Sequence, residues 1–124
     1  MDQNSIIEFS GTVTKHKGRG KELGYPTANI TVTESFPEGI FVGYSYVNTK
    51  ALPSLIFIGA PLTFNEKDKK AEVYILDFSE DIYGKEIKVI VRKKLRDNKK
   101  FDSKEELIAQ MEQDEREARE YFGH

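Results

Sequence analysis

The chain has 124 residues, no cysteine, two histidines and a formal net charge of −2, with 32% of its residues charged. That length suits one domain, residues 1–124, with a core of its own. The composition excludes thiolate chemistry, disulfides and cysteine- or histidine-rich metal sites, and the charge balance excludes a surface that is basic throughout. No apolar run approaches the length of a membrane span, and the start, Met1-Asp2-Gln3-Asn4, is polar. The expectation is a cytoplasmic protein without a signal peptide or a membrane partner.

A first strand is expected over residues 6–14, where Ile7, Phe9, Gly11 and Val13 alternate with Glu8, Ser10, Thr12 and Thr14. The stretch that follows concentrates glycine and charge: Gly18-Arg19-Gly20-Lys21-Glu22-Leu23-Gly24-Tyr25-Pro26-Thr27-Ala28-Asn29. Gly18, Gly20 and Gly24 let backbone N–H groups approach a ligand closely, and Arg19 and Lys21 neutralise an anion held there. A phosphate fits that description, and so does a plain glycine-rich hairpin with surface lysines. Neither the Walker motif nor a third glycine in G-x-G-x-x-G spacing is present.

Pro26 marks the start of a second strand, expected over 27–32. A period of two puts Thr27 and Asn29 on one polar face, with Ala28, Ile30 and Val32 on the other. Two neighbouring oxygen-bearing side chains suit a hard cation such as Mg²⁺. Further strands are expected over 40–47, 55–59, 72–78 and 86–95, with 48–50 as a hairpin loop, 65–70 as a charged loop tip and 82–85 as a turn. The last segment reads as a helix. Asp102 or Ser103 caps it, with Glu105 or Glu106 completing a capping box. Leu107, Met111, Ala118 and Phe122 recur at helical spacing, and Asp114 falls inside the stripe, where it is expected at the edge, bonded to nearby backbone. The fold class expected is mainly β: a small six-stranded antiparallel, Greek-key-like barrel with a C-terminal helix packed on it.

Three other features bear on chemistry. Glu72 opens the apolar run Glu72-Val73-Tyr74-Ile75-Leu76-Asp77-Phe78. Glu72, Tyr74, Leu76 and Phe78 are expected on one face. A half-buried carboxylate there suits a general base, and a solvated strand end is the alternative. Residues 93–100 carry five cations and suit phosphates or a solvated loop. Tyr74, Phe78, Tyr83 and Phe101 suit either a flat ring ligand or the core.

Taken together, Gly11-x-Val13, Gly18-Arg19-Gly20, Leu23-Gly24-Tyr25-Pro26-Thr27-Ala28-Asn29, Gly39 with Phe41, Ile58-Gly59, Glu72-Val73-x-x-Leu76-Asp77-Phe78, Asp81-x-Tyr83-Gly84, Leu95-Arg96 and Lys100-Phe101 resemble the riboflavin kinase (flavokinase) family. The likeness runs from residue 7 to about 122 and includes the final helix. It implies transfer of the γ-phosphate of ATP to the 5′-hydroxyl of riboflavin, giving FMN and ADP. It also implies that Thr27 and Asn29 meet the metal, Mg²⁺ or another divalent cation, and the nucleotide phosphates. Gly18, Arg19, Gly20, Lys21, Gly24 and Pro26 would line the phosphate site. Glu72 would be the base, and Tyr83, Arg96 and Phe101 would meet the flavin. Leu62 stands where the family commonly has proline, Tyr74 replaces a frequent histidine, and His16-Lys17 replaces a glycine and a variable residue. The resemblance implies a stand-alone kinase domain like the C-terminal one of bacterial bifunctional FAD synthetases. It is expected to be monomeric, with riboflavin/FMN and ATP/ADP as partners and no nucleic acid. A non-catalytic flavin- or nucleotide-binding sensor is the alternative.

Overall fold

Alternation along the strands becomes pairing in a computed structural model that describes residues 7–14, 28–32, 36–59, 69–78 and 80–123. Six strands and one helix lie among them: β1 (Ile7–Thr12), β2 (Ala28–Val32), β3 (Gly39–Val47), β4 (Lys50–Gly59), β5 (Lys69–Ile75), β6 (Glu86–Arg96) and α1 (Lys104–Phe122). All pairs are antiparallel, in the order β1-β6-β3-β4-β5-β2. Strands β3 to β6 form a Greek key, because the fourth returns to lie beside the first. The two edge strands meet at an isolated bridge between Thr14 and Asn29, which nearly closes the sheet into a barrel. Thr14 donates its N–H to the Asn29 carbonyl at 2.9 Å, and its hydroxyl donates to the same oxygen at 3.2 Å.

Inside the barrel sit Phe9, Ile30, Phe41, Ile56, Val73 and Val89, with their neighbours. On its outer face, Ile40, Val42, Leu55 and Leu76 pack with Ala118 of α1, flanked by Phe57, Tyr74, Leu95 and Phe122. Two buried polar residues on the inner side satisfy one another: the Ser45 and Ser54 hydroxyls lie 2.8 Å apart, and Ser54 donates to the Leu52 carbonyl. Gly43 is required where β3 shifts register against β6. A Cβ there would fall on the Ile90 carbonyl oxygen.

Two strands differ from expectation by three residues or more. β4 begins at Lys50, five residues early, and runs through Pro53. N–H and C=O of one residue point to the same neighbouring strand, so the missing N–H of Pro53 faces the side where β5 has ended. β5 pairs with β4 only from Ser54 onward, and the Pro53 carbonyl accepts from Leu76 N–H at 2.9 Å. β5 is itself shifted: it starts at Lys69, inside the expected charged loop, and ends at Ile75. Asp77 then adopts φ 57°. That turn resets the alternation, and Phe78 packs against the inner core instead of sharing the face of Glu72.

Helix α1 follows its sequence signals. The Ser103 hydroxyl accepts from Glu106 N–H at 3.1 Å, and the Glu106 carboxylate accepts from Asp102 N–H at 3.2 Å. Gly123 ends the helix at φ 84°. Asp114 departs from expectation, since it is fully buried and bonded to Arg96 and Gln110 side chains.

The β3–β4 turn uses Asn48 and Thr49 at φ 51° and 72°. A two-residue hairpin turn of this kind needs left-handed backbone at both positions, which asparagine accepts and a β-branched residue resists. Thr49→Gly should therefore stabilise the protein by about 1 kcal/mol, read as a higher urea midpoint. A lower midpoint would contradict the strain assigned to Thr49.

Candidate functional site

Register brings two of the sequence candidates face to face. Asn29 on β2 pairs directly with Glu72 on β5. Glu72 in turn pairs with Phe57 on β4, Phe57 with Ile40 on β3, and Ile40 with Arg96 on β6. These five residues form one row across the outer face of the barrel. Neighbouring members are one strand apart, roughly 5 Å, so Glu72 and Arg96 are separated by roughly 14 Å along the sheet. Glu72 lies fourth in β5 and is half-buried; it does not open the strand.

Asn29 is 4% exposed, although it sits on the face expected to be open and polar. Its backbone closes the barrel through Thr14, yet its side-chain Oδ1 is buried and has no hydrogen-bond partner. Leaving a buried amide oxygen unsatisfied costs about 1–3 kcal/mol. Such an atom beside a carboxylate is a hard oxygen donor held ready for a cation or a polar ligand. Among the described residues no cluster of three or more acidic or histidine side chains forms a metal site.

Tyr83 stands across the seam. Its turn is built by Asp81, whose carboxylate accepts from Tyr83 N–H at 3.0 Å, and by Gly84 at φ 85°. The turn is docked on the end of the first strand by Gly84 N–H to Val13 O and Val13 N–H to Lys85 O, each 2.9 Å. Tyr83 is 38% exposed.

Arg96 ends β6 with its guanidinium engaged by protein. Nε and Nη2 donate to the two carboxylate oxygens of Asp114 at 2.8 and 2.7 Å, and Nη1 donates to the Asp97 carbonyl at 2.9 Å. The loop beyond it is tied to β4, where Asn98 Nδ2 donates to the Ile58 carbonyl at 3.2 Å. Phe101 is half-buried in this loop, with Lys99 Nζ 5.7 Å from its ring centre. The Lys94 ammonium hydrogen-bonds Asp97 and holds that carboxyl below its usual range.

Tyr74 lies two residues from Glu72 on the same face, in the cluster under α1. Burial, and then the charge of Glu115, push its phenol above the usual value. Arg119 of the helix holds Asp77 through Nη1 and Nη2, at 3.1 and 3.0 Å, and also binds Glu115. This second Arg–Asp clamp was not singled out from sequence. The i to i+4 spacing of Glu115 and Arg119 was its one local signal. Gly18, Arg19, Gly20, Lys21, Gly24, Pro26 and Thr27 lie outside the described residues.

A family model described as riboflavin kinase matches residues 4–122. The bifunctional riboflavin kinase/FMN adenylyltransferase of Escherichia coli K12 is 37% identical over 118 residues, covering 93% of this chain and 38% of that protein. The protein of the same name from Listeria monocytogenes is 41% identical over 118 residues, covering 90% and 37%. A trifunctional protein of Mycoplasmoides gallisepticum is 40% identical over 117 residues, covering 92% and 18%. The chain thus spans under two-fifths of the length of these curated relatives. Among solved structures, a Streptococcus pneumoniae protein named as a macrolide-efflux protein matches with a TM-score of 0.84 at 31% identity, covering 93% of this chain and 39% of that one. Riboflavin kinase from Trypanosoma brucei matches with a TM-score of 0.65 at 23% identity, covering 94% and 79%, a likeness of fold.

If the Asn29 amide is a functional burden on the fold, an apolar side chain of similar size should relieve it. Asn29→Leu should unfold at a urea concentration no lower than the parent's, and the gain should be up to about 1–3 kcal/mol. A clear loss of stability would show that the amide is instead part of the structural framework.

Proposed function

The chain belongs to the riboflavin kinase family, and from that premise we propose that it transfers the γ-phosphate of ATP to the 5′-hydroxyl of riboflavin, giving FMN and ADP. The observation that carries this reading is the Asn29–Glu72 pair: a half-buried carboxylate directly opposite a buried amide oxygen with no partner. In this reading Glu72 accepts the proton of the 5′-hydroxyl. The oxygen so freed attacks the γ-phosphorus, the bond from phosphorus to the β,γ-bridging oxygen breaks, and ADP leaves. Phosphoryl transfer asks the protein chiefly for positioning and for stabilisation of charge.

The remaining sequence candidates take supporting roles in the proposal. Gly18, Gly20 and Gly24 with Arg19, Lys21 and Pro26 bind the phosphates, and Thr27 and Asn29 hold Mg²⁺ or another divalent cation. The residues present suit such an ion, because Mg²⁺ takes few protein oxygens and completes its shell with water and phosphate. When bound, it would neutralise phosphate charge. Tyr83 and Phe101 flank the flavin from opposite ends of the row. The protein acts as a monomer in the cytoplasm on riboflavin and ATP, without nucleic-acid or membrane partners. No helix among the described residues is long and apolar enough to cross a membrane. No observation favours the sensor alternative.

Folded protein given riboflavin, ATP and Mg²⁺ should form FMN, followed by chromatography with fluorescence detection. Glu72→Gln should lower kcat by ~10²–10⁴-fold while the protein stays folded. Absence of product from folded parent would overturn the kinase reading, and equal rates would remove Glu72 from the mechanism.

Chelation of divalent cations by EDTA should abolish turnover, and added Mg²⁺ should restore it. Undiminished turnover in EDTA would contradict the cation role given to Asn29 and Thr27.

A further inference from the structure

Among the described residues, Oδ1 of Asn29 is the buried side-chain oxygen or nitrogen left without a hydrogen-bond partner. Its aim depends on what holds the Asn29 backbone. In an antiparallel sheet the N–H and C=O of one residue point to the same neighbouring strand. The carbonyl of Asn29 points towards the end of the first strand, where it accepts from Thr14. Asn29 and Glu72 therefore face each other as a non-hydrogen-bonded pair. Pairs of that kind have Cα atoms about 4.5 Å apart and bring side chains closest together. It follows that β5 does not hold the Asn29 carbonyl. Thr14 does, across the seam.

Thr14 grips that oxygen twice, with its N–H at 2.9 Å and its hydroxyl at 3.2 Å. The grip is itself anchored. Val13 is 1% exposed and is bonded in both directions to the turn that carries Tyr83, through Lys85 O and Gly84 N–H. Three residues before Thr14, Gly11 lets the two edge strands close up, since a Cβ there would collide with Ile30 Cγ2. Threonine is also stiff at χ1. Closure by the isolated bridge needs only the backbone N–H, which every residue but proline supplies. The hydroxyl is a second donor at an exposed position, where water can take its place, so its net worth to stability is small. Its effect is geometric. Two donors on one carbonyl oxygen fix the tilt of that peptide, and with it the direction in which the unsatisfied amide leaves the backbone.

We propose that Thr14 is a positioning residue: through the Asn29 carbonyl, its hydroxyl aims the buried Asn29 amide at the cation-bound phosphates of the nucleotide. This rests on the riboflavin kinase reading and on the part that Asn29 takes in it. Thr14 acts only through Asn29, so its hydroxyl should matter to nucleotide binding when Asn29 is present and not when it is absent. A bond that served barrel closure alone would instead act on stability and on both substrates alike.

The test compares Thr14→Val, which keeps the backbone bond and the branched shape but loses the hydroxyl, with Thr14→Ser, which keeps the hydroxyl. Each is made alone and together with Asn29→Leu. Calorimetric titration with ADP and Mg²⁺ reads binding without turnover, and KM values for ATP and riboflavin and a urea melt accompany it. Thr14→Val should weaken binding of ADP with Mg²⁺ about tenfold and raise the KM for ATP in step. Thr14→Ser should stay close to the parent, and the riboflavin KM and the urea midpoint should not move. In the Asn29→Leu background, Thr14→Val should have no further effect. Unchanged binding in folded Thr14→Val would overturn the proposal. So would a Thr14→Ser as damaged as Thr14→Val, or a Thr14→Val loss that persists beside Asn29→Leu. Equal losses for both substrates with earlier unfolding would reduce the hydroxyl to a closure bond and overturn it too. Should Asn29→Leu bind too weakly to titrate, the comparison of Thr14→Val with Thr14→Ser decides. Failure of the folded parent to form FMN is a separate result, which sinks the kinase reading itself.

Discussion

The antiparallel register between β2 and β5 is the constraint on which the site depends. Side chains alternate sides with a period of two, so a slip of one residue would send either Asn29 or Glu72 into the core. The register is fixed from both directions. Ala28 and Ile30 must face inward with Val73 and Ala71, and Asn29 must present its carbonyl to Thr14 at the seam. The backbone of Asn29 thus completes the barrel while its side-chain Oδ1 is left unsatisfied. Closure and the proposed function fall to different atoms of one residue, and the fold tolerates the unpaired Oδ1 because closure does not depend on it.

The row that starts at this pair also explains how distant segments share one surface. Phe57 and Ile40 are its apolar middle, and they belong to the cluster that seats α1. Arg96 is its far end, where the sheet hands over to the helix through Asp114. A second clamp, Arg119 on Asp77, fastens the other end of the helix to the turn after β5. One clamp joins the helix to β6 and the other to the turn that follows β5, and both of these strands carry the row. The helix is therefore a brace for this face of the barrel.

Much of the fold was legible because it is local. The 3.6-residue stripe and the Ser103–Glu106 cap defined α1, and period-two alternation identified six strands and the inward set of β1 and β2. Tertiary context overrode local signals at Pro53, which reads as a breaker but sits where a neighbouring strand has ended. It did so again at Lys69 and Lys70, whose charge reads as loop while their backbone pairs with Val32 and Gly59 or Thr31. The site was legible as candidates but not as an arrangement. Parity put Asn29 on a polar face and Glu72 on a half-buried one, but a single sequence contains no term for register between strands some forty residues apart. For the same reason the burial of Asn29 and the Arg96–Asp114 fork were out of reach: both arise from long-range packing.

The central claim is that Asn29 and Glu72 act as one unit across the β2–β5 pair. The most direct measurement is a double-mutant cycle on kcat/KM for FMN formation, using Asn29→Leu, Glu72→Gln and the two combined. Residues that act as a unit are grossly non-additive, so the combined variant should be little worse than the more damaged single one. Losses that simply multiply would mean that the two side chains act independently, and the facing pair would then be an accident of register.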